Sequence, residues 1–421
     1  MIPSPVHTPE AHQHRLSSAF LHILWVSLYL YYNQEAISQS IIMGHVFSSR
    51  KLRSPLPHGA SEPNPKTPCF VSLGMTILEK IDYQNNTTQL DIPGGPGLWA
   101  TFGARLFKYE PSSADVGCII VARKDYPPSL LRTLESWKIS IVTKRHKYPC
   151  TRAGLQYTDT MSNKSISYLS ETLQPSVPDL EGTLLLGARA FHFAALPSEM
   201  KNHSIRLNYR RRARGFGQNR PLIVWEPAPV ACEQNDIADF FHVLPLVDVF
   251  SPSHEELISL TIGQSELLIP FSHRLIQELA LRFVDVGIGP DGDGLIIVRC
   301  GSHGCFYMKS AKDKGWVTPY YAHNCPEIKD VTGARSAFLG AFTVCFERTK
   351  DVKKSCLHGI IASSFAIEQF GLPVKTKSSR RDSHPHDRPW CDETWNDDNP
   401  FYRLGIKEMD PNSFFTKEFP N

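Results

Sequence analysis

Residues Asp330–Phe342 read DVTGARSAFLGAF. Three small residues, Thr332, Gly333 and Ala334, stand directly before an apolar run, which predicts a turn opening a helix over Ser336–Arg348. That helix would be apolar at Phe338, Leu339, Phe342 and Phe346. Backbone N–H groups at a helix start point outward with the positive end of the helix dipole behind them, a ready site for an anion. Small residues let a phosphate come close to the backbone. The plainer reading is an ordinary helix start with Thr332 as N-cap.

Working outward, short apolar runs recur on both sides of this turn. They are CFVSLGM from Cys69, GCIIVAR (Gly117–Arg123), TLLLGARAFHFAA (Thr183–Ala195), RPLIVWEP (Arg220–Pro227), VDVFSP (Val247–Pro252) and GLIIVRCG (Gly294–Gly301). Each is rich in Val, Ile, Leu or Phe and bounded by Gly, Pro or Asp, the pattern of a buried strand. Segments with helical spacing separate them, at Pro128–Trp137, Asp236–Leu246 and His254–Thr261. A further helix is expected over Cys356–Phe370, with Gly371 as its C-cap. Strands alternating with helices imply an α/β fold, a mostly parallel sheet covered on both faces.

The bulk numbers agree with a large folded unit. Of 421 residues, 41% are hydrophobic and 21% charged, enough apolar surface to build a core. Lys plus Arg total 45 against 42 Asp plus Glu, so charge balance demands neither nucleic acid nor an anionic membrane as partner. The run Arg210-Arg211-Arg212-Ala213-Arg214 reads as an exposed loop. Ten cysteines without a CxxC pair suit a reduced, cytoplasmic protein with buried thiols.

Three parts are expected: an irregular extension over 1–66, the folded unit over 67–373 and a polar tail over 374–421. Within the extension, Ala19–Tyr32 is apolar but has only 14 residues, whereas a spanning helix needs about 20. Membrane contact there stays open beside a docking helix or a mispredicted first exon.

Other motifs fall at the same kind of place, between a strand end and a helix. Gly94-Gly95-Pro96-Gly97 precedes an Ala-rich helix over Trp99–Phe107, a tight turn with exposed backbone that suits a polyol or simply a turn. Ser251–Leu257, reading SPSHEEL, carries carboxylates out of a strand end, where open α/β sheets bind ligands. GLIIVRCG is followed by another turn at Ser302-His303-Gly304. Gly287–Gly292 matches G-x-G-x-x-G but precedes a strand, so it reads as a turn. His384, His386 and Cys391 sit in a Pro/Arg-rich tail and read as tail rather than metal ligands. His192, between Phe191 and Phe193, reads as a core or pocket-edge histidine.

In this order the motifs resemble the ribokinase-like, PfkB-type carbohydrate kinases over roughly Cys69 to Pro373. The stretches carrying the likeness are SLGMTILEKI (Ser72–Ile81), GGPGLWATFGARL (Gly94–Leu106), IVWEPAP (Ile223–Pro229), FSPSHEEL (Phe250–Leu257), IIVRCGSHGC (Ile296–Cys305), DVTGARSAFLGAF and IEQFGLP (Ile367–Pro373). Within the family the wording is similar to fungal proteins of the "maintenance of killer" type, which are associated with the stability of double-stranded RNA virus particles. The resemblance implies a three-layer sandwich, with ATP and Mg2+ at the C-terminal edge of the sheet and phosphoryl transfer to a hydroxyl of a sugar or nucleoside.

Mapped residue by residue, Asp330, Thr332, Gly333 and Ala334 would hold phosphates. Arg335 stands where the family has a glycine, its β-carbon crowding the turn but its guanidinium able to clasp a phosphate, and Ser336 stands where the family has its catalytic Asp. Glu256 matches the acid associated with magnesium, acting indirectly. Glu79, Gly94, Gly95 and Trp99 fall on the acceptor side, with Glu79 in place of an Asp and Trp99 in place of an Asn. A neutral serine hydroxyl cannot act as a base near pH 7, and a base is worth about 10²–10⁴ in rate. Two functions therefore follow from the resemblance: a weak ATP-dependent kinase with nucleotide and small-polyol ligands, or a pseudokinase acting through protein partners. Direct nucleic-acid binding is not expected. Lys144–Ser170 is the expected lid.

Overall fold

The computed structural model describes residues 67–82, 88–157, 164–234, 237–263, 269–377 and 393–409. Ala19–Tyr32, His384, His386 and Cys391 lie outside them. Nine strands form one sheet: β1 (Phe70–Ser72), β4 (Val116–Ala122), β5 (Ser140–Arg145), β8 (Ala190–Ala195), β9 (Leu222–Pro227), β10 (Val249–Phe250), β11 (Leu295–Arg299), β12 (Cys305–Met308) and β13 (Lys314–Val317). Their order is β13-β12-β11-β10-β9-β8-β1-β4-β5. From β5 to β11 all neighbours are parallel, and an antiparallel hairpin of β12 and β13 closes one edge.

Parallel strands covered on both faces should be apolar at every position, and β4 (VGCIIVA) is buried throughout. Its residues alternate between two cores. Ile119 and Val121 join Phe191, Phe193, Ile223, Trp225, Phe250 and Val298 on one face. Cys118, Ile120 and Ala122 join Val224, Val249 and Ile297 on the other.

The first face is covered by α3 (Pro197–Ala213), α6 (His254–Ile262) and α7 (His273–Val286). The second is covered by α1 (Pro96–Leu106), α2 (Pro128–Ser136), α8 (Ala334–Thr349) and α9 (Val352–Ala366). Two short helices, α4 (Pro229–Gln234) and α5 (Ile237–Phe241), follow β9. The fold is thus a three-layer α/β sandwich, as the sequence implies.

One packing detail positions the site. A β-carbon on Gly103 would lie 1.9 Å from the carbonyl oxygen of Ala337, and one on Gly340 would lie 1.9 Å from that of Ala100. Paired glycines therefore let the backbones of α1 and α8 touch, and the N-terminus of α8 is held against the start of α1.

A second sheet, in the order β3-β2-β6-β7, stands apart from the first: β2 (Ile77–Asp82), β3 (Thr88–Gly94), β6 (Thr151–Tyr157) and β7 (Lys164–Tyr168). The segment expected as a lid supplies only β6 and β7. The hairpin of β2 and β3 supplies the other half, because β2 pairs in parallel with β6.

Four local expectations are corrected. Helix α9 ends at Ala366 with Ile367 as C-cap; Gly371, with φ 74°, belongs to the following turn. The arginine run is no loop but the end of α3, where Arg211 is buried and donates to the carbonyls of Leu186 (2.6 Å) and Ala188 (2.8 Å). In TLLLGARAFHFAA only Ala190–Ala195 is strand, preceded by a 3-10 turn. The polar tail contributes structure: β14 (Lys375–Lys377) pairs with β15 (Glu393–Trp395), and α10 (Pro400–Met409) follows. There Trp395 is fully buried, packing on Phe102 and Trp137 with ring centroids at 5.2 and 5.5 Å. No helix among the described residues is long and apolar enough to cross a membrane.

Candidate functional site

Strands β1 and β11 end in a polar residue, β9 carries one just before its last position, and β8 carries one within it. Those residues are Ser72, His192, Glu226 and Arg299, all buried. A buried charge persists only when paired and hydrogen-bonded, and these side chains satisfy one another. Arg299 Nη1 donates to Glu226 Oε1 (2.5 Å) and Nη2 to the carbonyl of Ser251 (2.7 Å). His192 Nε2 lies 3.1 Å from Glu226 Oε2, and His192 Nδ1 2.9 Å from Ser72 Oγ.

Burial alone would push the Glu226 carboxyl up, but Arg299, the His192 bond and Arg335 outweigh it and hold the group well below the usual carboxylate range. An ionised carboxylate only accepts, so Nε2 carries the proton toward it.

Helix α8 starts directly over this row. Gly333, not Thr332, takes the N-cap position, in the left-handed region at φ 79° and with no side-chain cap bond. Glycine holds that conformation at no steric cost. The Thr332 side chain turns back instead: its Oγ1 and backbone N–H both donate to Asp330 Oδ1, at 2.6 and 2.9 Å. The turn is thus shaped by Asp330 while the first N–H groups of α8 lack a side-chain cap, and the dipole makes that end favourable to an anion.

The next two residues go to different carboxylates. Arg335 Nη1 donates to Glu256 Oε1 while nearly half of its side chain (47%) remains exposed. The Glu256 charge beside it raises the pKa of the guanidinium, which stays protonated. Ser336 is buried, and its Oγ donates to Glu226 Oε2 (2.8 Å). Glu256 also closes a capping box at the start of α6. Its Oε2 accepts the Ser253 N–H (2.7 Å), and its own N–H reaches Ser253 Oγ (3.2 Å).

Among the residues expected to face an acceptor, Gly95 (φ 88°) caps α1. Glu79 of β2 is buried with its carboxylate against Gly94, where a β-carbon would lie 2.2 Å from Oε1. Trp99 links the two sides. Its indole lies across Gly333, whose β-carbon would fall 2.0 Å from the ring, and its Nε1 is buried without a hydrogen-bond partner.

The structure therefore brings together Glu79 with Gly94, Trp99 with Gly333, Arg335 with Glu256, and Asp330 with Thr332. Ser336 and Arg335, adjacent in sequence, serve separate acids. Glu226 and Arg299 were not singled out from the sequence, although an acid ending IVWEP and an arginine inside IIVRCG are charges placed in buried strands. His192 is indeed a core histidine.

Comparison with known proteins bears on the family and the fold. Residues 228–377, from just past Glu226 through the anion turn, match the pfkB family carbohydrate kinase model. That stretch is similar to the pfkB family. An uncharacterized protein of Schizosaccharomyces pombe is 29% identical over 80% of this chain and 91% of that protein. Protein MAK32 of Saccharomyces cerevisiae is 27% identical over 72% of this chain and 85% of that protein. Among solved structures, adenosine kinase from Anopheles gambiae has a TM-score of 0.58 at 16% identity, over 73% of this chain and 97% of that one. Ribokinase from Giardia lamblia has a TM-score of 0.55 at 17% identity, over 73% and 94%. At those identities the likeness shows the ribokinase-like fold.

The PfkB-type fold implies ATP and Mg2+. The turn fits the phosphates of a nucleotide: an uncapped helix start, a half-exposed arginine and an orphaned indole N–H. The acids fit Mg2+ poorly. Among the described residues no group of three or more His, Cys, Asp or Glu could hold a metal ion. Both oxygens of Glu226 and both of Glu256 already accept bonds from the chain.

Proposed function

We propose that this chain binds the polyphosphate of ATP at the turn Asp330–Arg335 and transfers a phosphoryl group, slowly, to a hydroxyl of a sugar- or nucleoside-like acceptor. The observation that carries the reading is the uncapped start of α8 at Gly333, with Arg335 beside it. Backbone N–H groups, the dipole and the guanidinium together suit phosphate oxygens. The acceptor would enter beside Gly94 and Gly95, under the sheet formed by β2, β3, β6 and β7. Ser336 donates a hydrogen bond to Glu226, so its hydroxyl is oriented away from the role of a base. Glu226 is held ionised and is a weak base for the same reason. What remains is positioning and charge stabilisation, which carry much of phosphoryl transfer.

A second reading is favoured by Trp99, whose indole covers Gly333 on the side where an acceptor would approach. In it the domain binds nucleotide and acts through protein partners without turnover. Nucleotide-dependent thermal shift of the full chain, followed by a sugar and nucleoside panel with radiolabelled ATP, separates the two. A shift with slow transfer supports the first reading, and a shift with no transfer supports the second. No shift at millimolar nucleotide overturns both.

Restoration sharpens the answer. Ser336→Asp alone keeps Arg335 on Glu256 and should raise transfer by about 10² or more if only the base is missing. No gain from this variant, repeated beside Glu226→Gln to remove the like charge that Ser336 faces, would point to Trp99 as the block. Adding Arg335→Gly would leave Glu256 without its counter-ion, so the single variant is the cleaner test.

A further inference from the structure

The two acids, Glu226 on β9 and Glu256 at the start of α6, are neutralised from within. Glu226 faces Arg299, and Glu256 faces Arg335 at one oxygen, with the Ser253 N–H and, at 3.6 Å, Arg299 at the other. Two carboxylates are thus matched by two guanidiniums. A divalent cation arriving here would meet cations already seated, and Mg2+ gives up its water shell reluctantly for anything less than free carboxylate or phosphate oxygen.

A polyphosphate meets the opposite situation. Arg335 gives only Nη1 to Glu256 and keeps 47% of its side chain open to solvent. A guanidinium has five N–H donors in a planar fork, so several remain for phosphate oxygens. Several buried indole N–H groups lack a partner, and that of Trp99 is distinguished by its place against Gly333 at the turn. The side chain is 2% exposed and Nε1 has no partner. Nε1 is bonded to the ring carbon Cε2, which lies 2.0 Å from where a β-carbon of Gly333 would stand. A buried donor without an acceptor is costly, and an anion seated on the turn would supply one.

We infer that this chain binds the polyphosphate of a nucleotide without a divalent cation, Arg335 supplying the positive charge and Trp99 an indole N–H. The inference rests on the nucleotide reading above and adds the form of nucleotide that is bound. The arginine takes over the charge role at Glu256, so metal-free ADP or ATP is the ligand.

The test is calorimetric titration of the full chain with ADP in EDTA and again in excess Mg2+. The expected dissociation constants agree within about threefold, whereas a metal-requiring site would differ by about tenfold or more. Arg335→Gln should weaken binding in EDTA by about tenfold or more, the scale of a charge-assisted hydrogen bond. With Glu256 released, Mg2+ should then recover part of the loss. Trp99→Phe keeps an aromatic ring over Gly333 without the donor and should weaken binding about three- to tenfold.

Binding that appears only with Mg2+ overturns this inference and leaves the nucleotide reading standing. Arg335→Gln with unchanged affinity in EDTA overturns the role given to the arginine. No binding in either buffer overturns both readings.

Discussion

Two arginine–carboxylate centres lie in the same helical layer of this molecule, and they are built to opposite ends. Arg105, on α1, is fully buried. Its Nε donates to the carbonyl of Trp137 (2.5 Å), Nη1 to that of Lys108 (2.7 Å), and Nη1 and Nη2 to the two oxygens of Glu393 (2.7 and 2.6 Å). Lys375 holds the same carboxylate from a neighbouring strand (2.6 Å). Arg335, at the start of α8, reaches Glu256 alone and leaves nearly half of itself in solvent. Both pairs are charged and close. The first clamps the C-terminal segment to the domain and has nothing left to offer a ligand. The second is incomplete as built, and incompleteness at a helix start is what a binding site requires.

The largest expected effect breaks the clamp. Arg105→Met keeps most of the volume but leaves the carbonyls of Trp137 and Lys108 without their donor and Glu393 with Lys375 alone. Removing one partner of a buried pair costs about 3–5 kcal/mol. Urea unfolding followed by circular dichroism should show that loss, while ADP binding to the folded variant stays unchanged. A variant that loses ADP binding instead would show that the two centres are not separate.

Gly333→Ala should come next. The added methyl meets the Trp99 ring and occupies a left-handed backbone position, together worth about 2–4 kcal/mol from strain and overpacking. Nucleotide binding should be lost as well, because the turn must open. Pairing it with Trp99→Leu should recover the overpacking part only, so the two changes couple rather than add. Simple additivity would mean that the indole does not press on the turn.

Acid gives a smaller and separable effect. Glu226 and Glu393 both have folded pKa values below their ordinary ones, despite burial that pushes each up. For such groups the unfolded chain binds more protons, so the stability they supply is present above about pH 4.5 and is lost as pH falls through the folded value. His203 and His358, which burial lowers to about 4, act earlier. They stay neutral in the fold while the unfolded chain protonates below about 6.5, so stability already falls between pH 6.5 and 4. Glu226→Gln should leave this upper limb intact and flatten the lower one by about 2 kcal/mol between pH 4.5 and 2.5. An unchanged lower limb would mean that Arg299 does not hold Glu226 ionised.

What could be read in the sequence follows from how local each signal is. Buried strands such as GCIIVAR and the helix after Gly333 show themselves in a few consecutive residues, so the layered fold and the turn were both legible. Thr332 looked like a cap because only the coordinates show its hydroxyl turned to Asp330. The row Ser72–His192–Glu226–Arg299 was hidden because it runs across strands, through residues separated by as many as 120 positions. A single Glu or Arg in an apolar run gives no hint of its partner. The segment at Glu393–Trp395 was missed for the same reason: its burial depends on Phe102 and Trp137, far away in the chain, and its own composition is polar.

The smallest effect asks what Ser336 is for. Its hydroxyl donates one hydrogen bond to Glu226 Oε2, which His192 also reaches. Ser336→Ala removes that donor but leaves Glu226 bonded to Arg299 and His192, so the loss should be about 1 kcal/mol in unfolding free energy. The catalytic consequence discriminates more sharply. A serine that donates a hydrogen bond to a buried carboxylate is a donor in the resting fold, and deleting it should change any measured phosphoryl transfer by less than about tenfold. A true base, by contrast, carries about 10²–10⁴ in rate. A loss of that larger size would mean that Glu226, through Ser336, draws the acceptor proton after all. The row across the strands would then be a proton path, and Arg335 and Ser336 would belong to one machine instead of two.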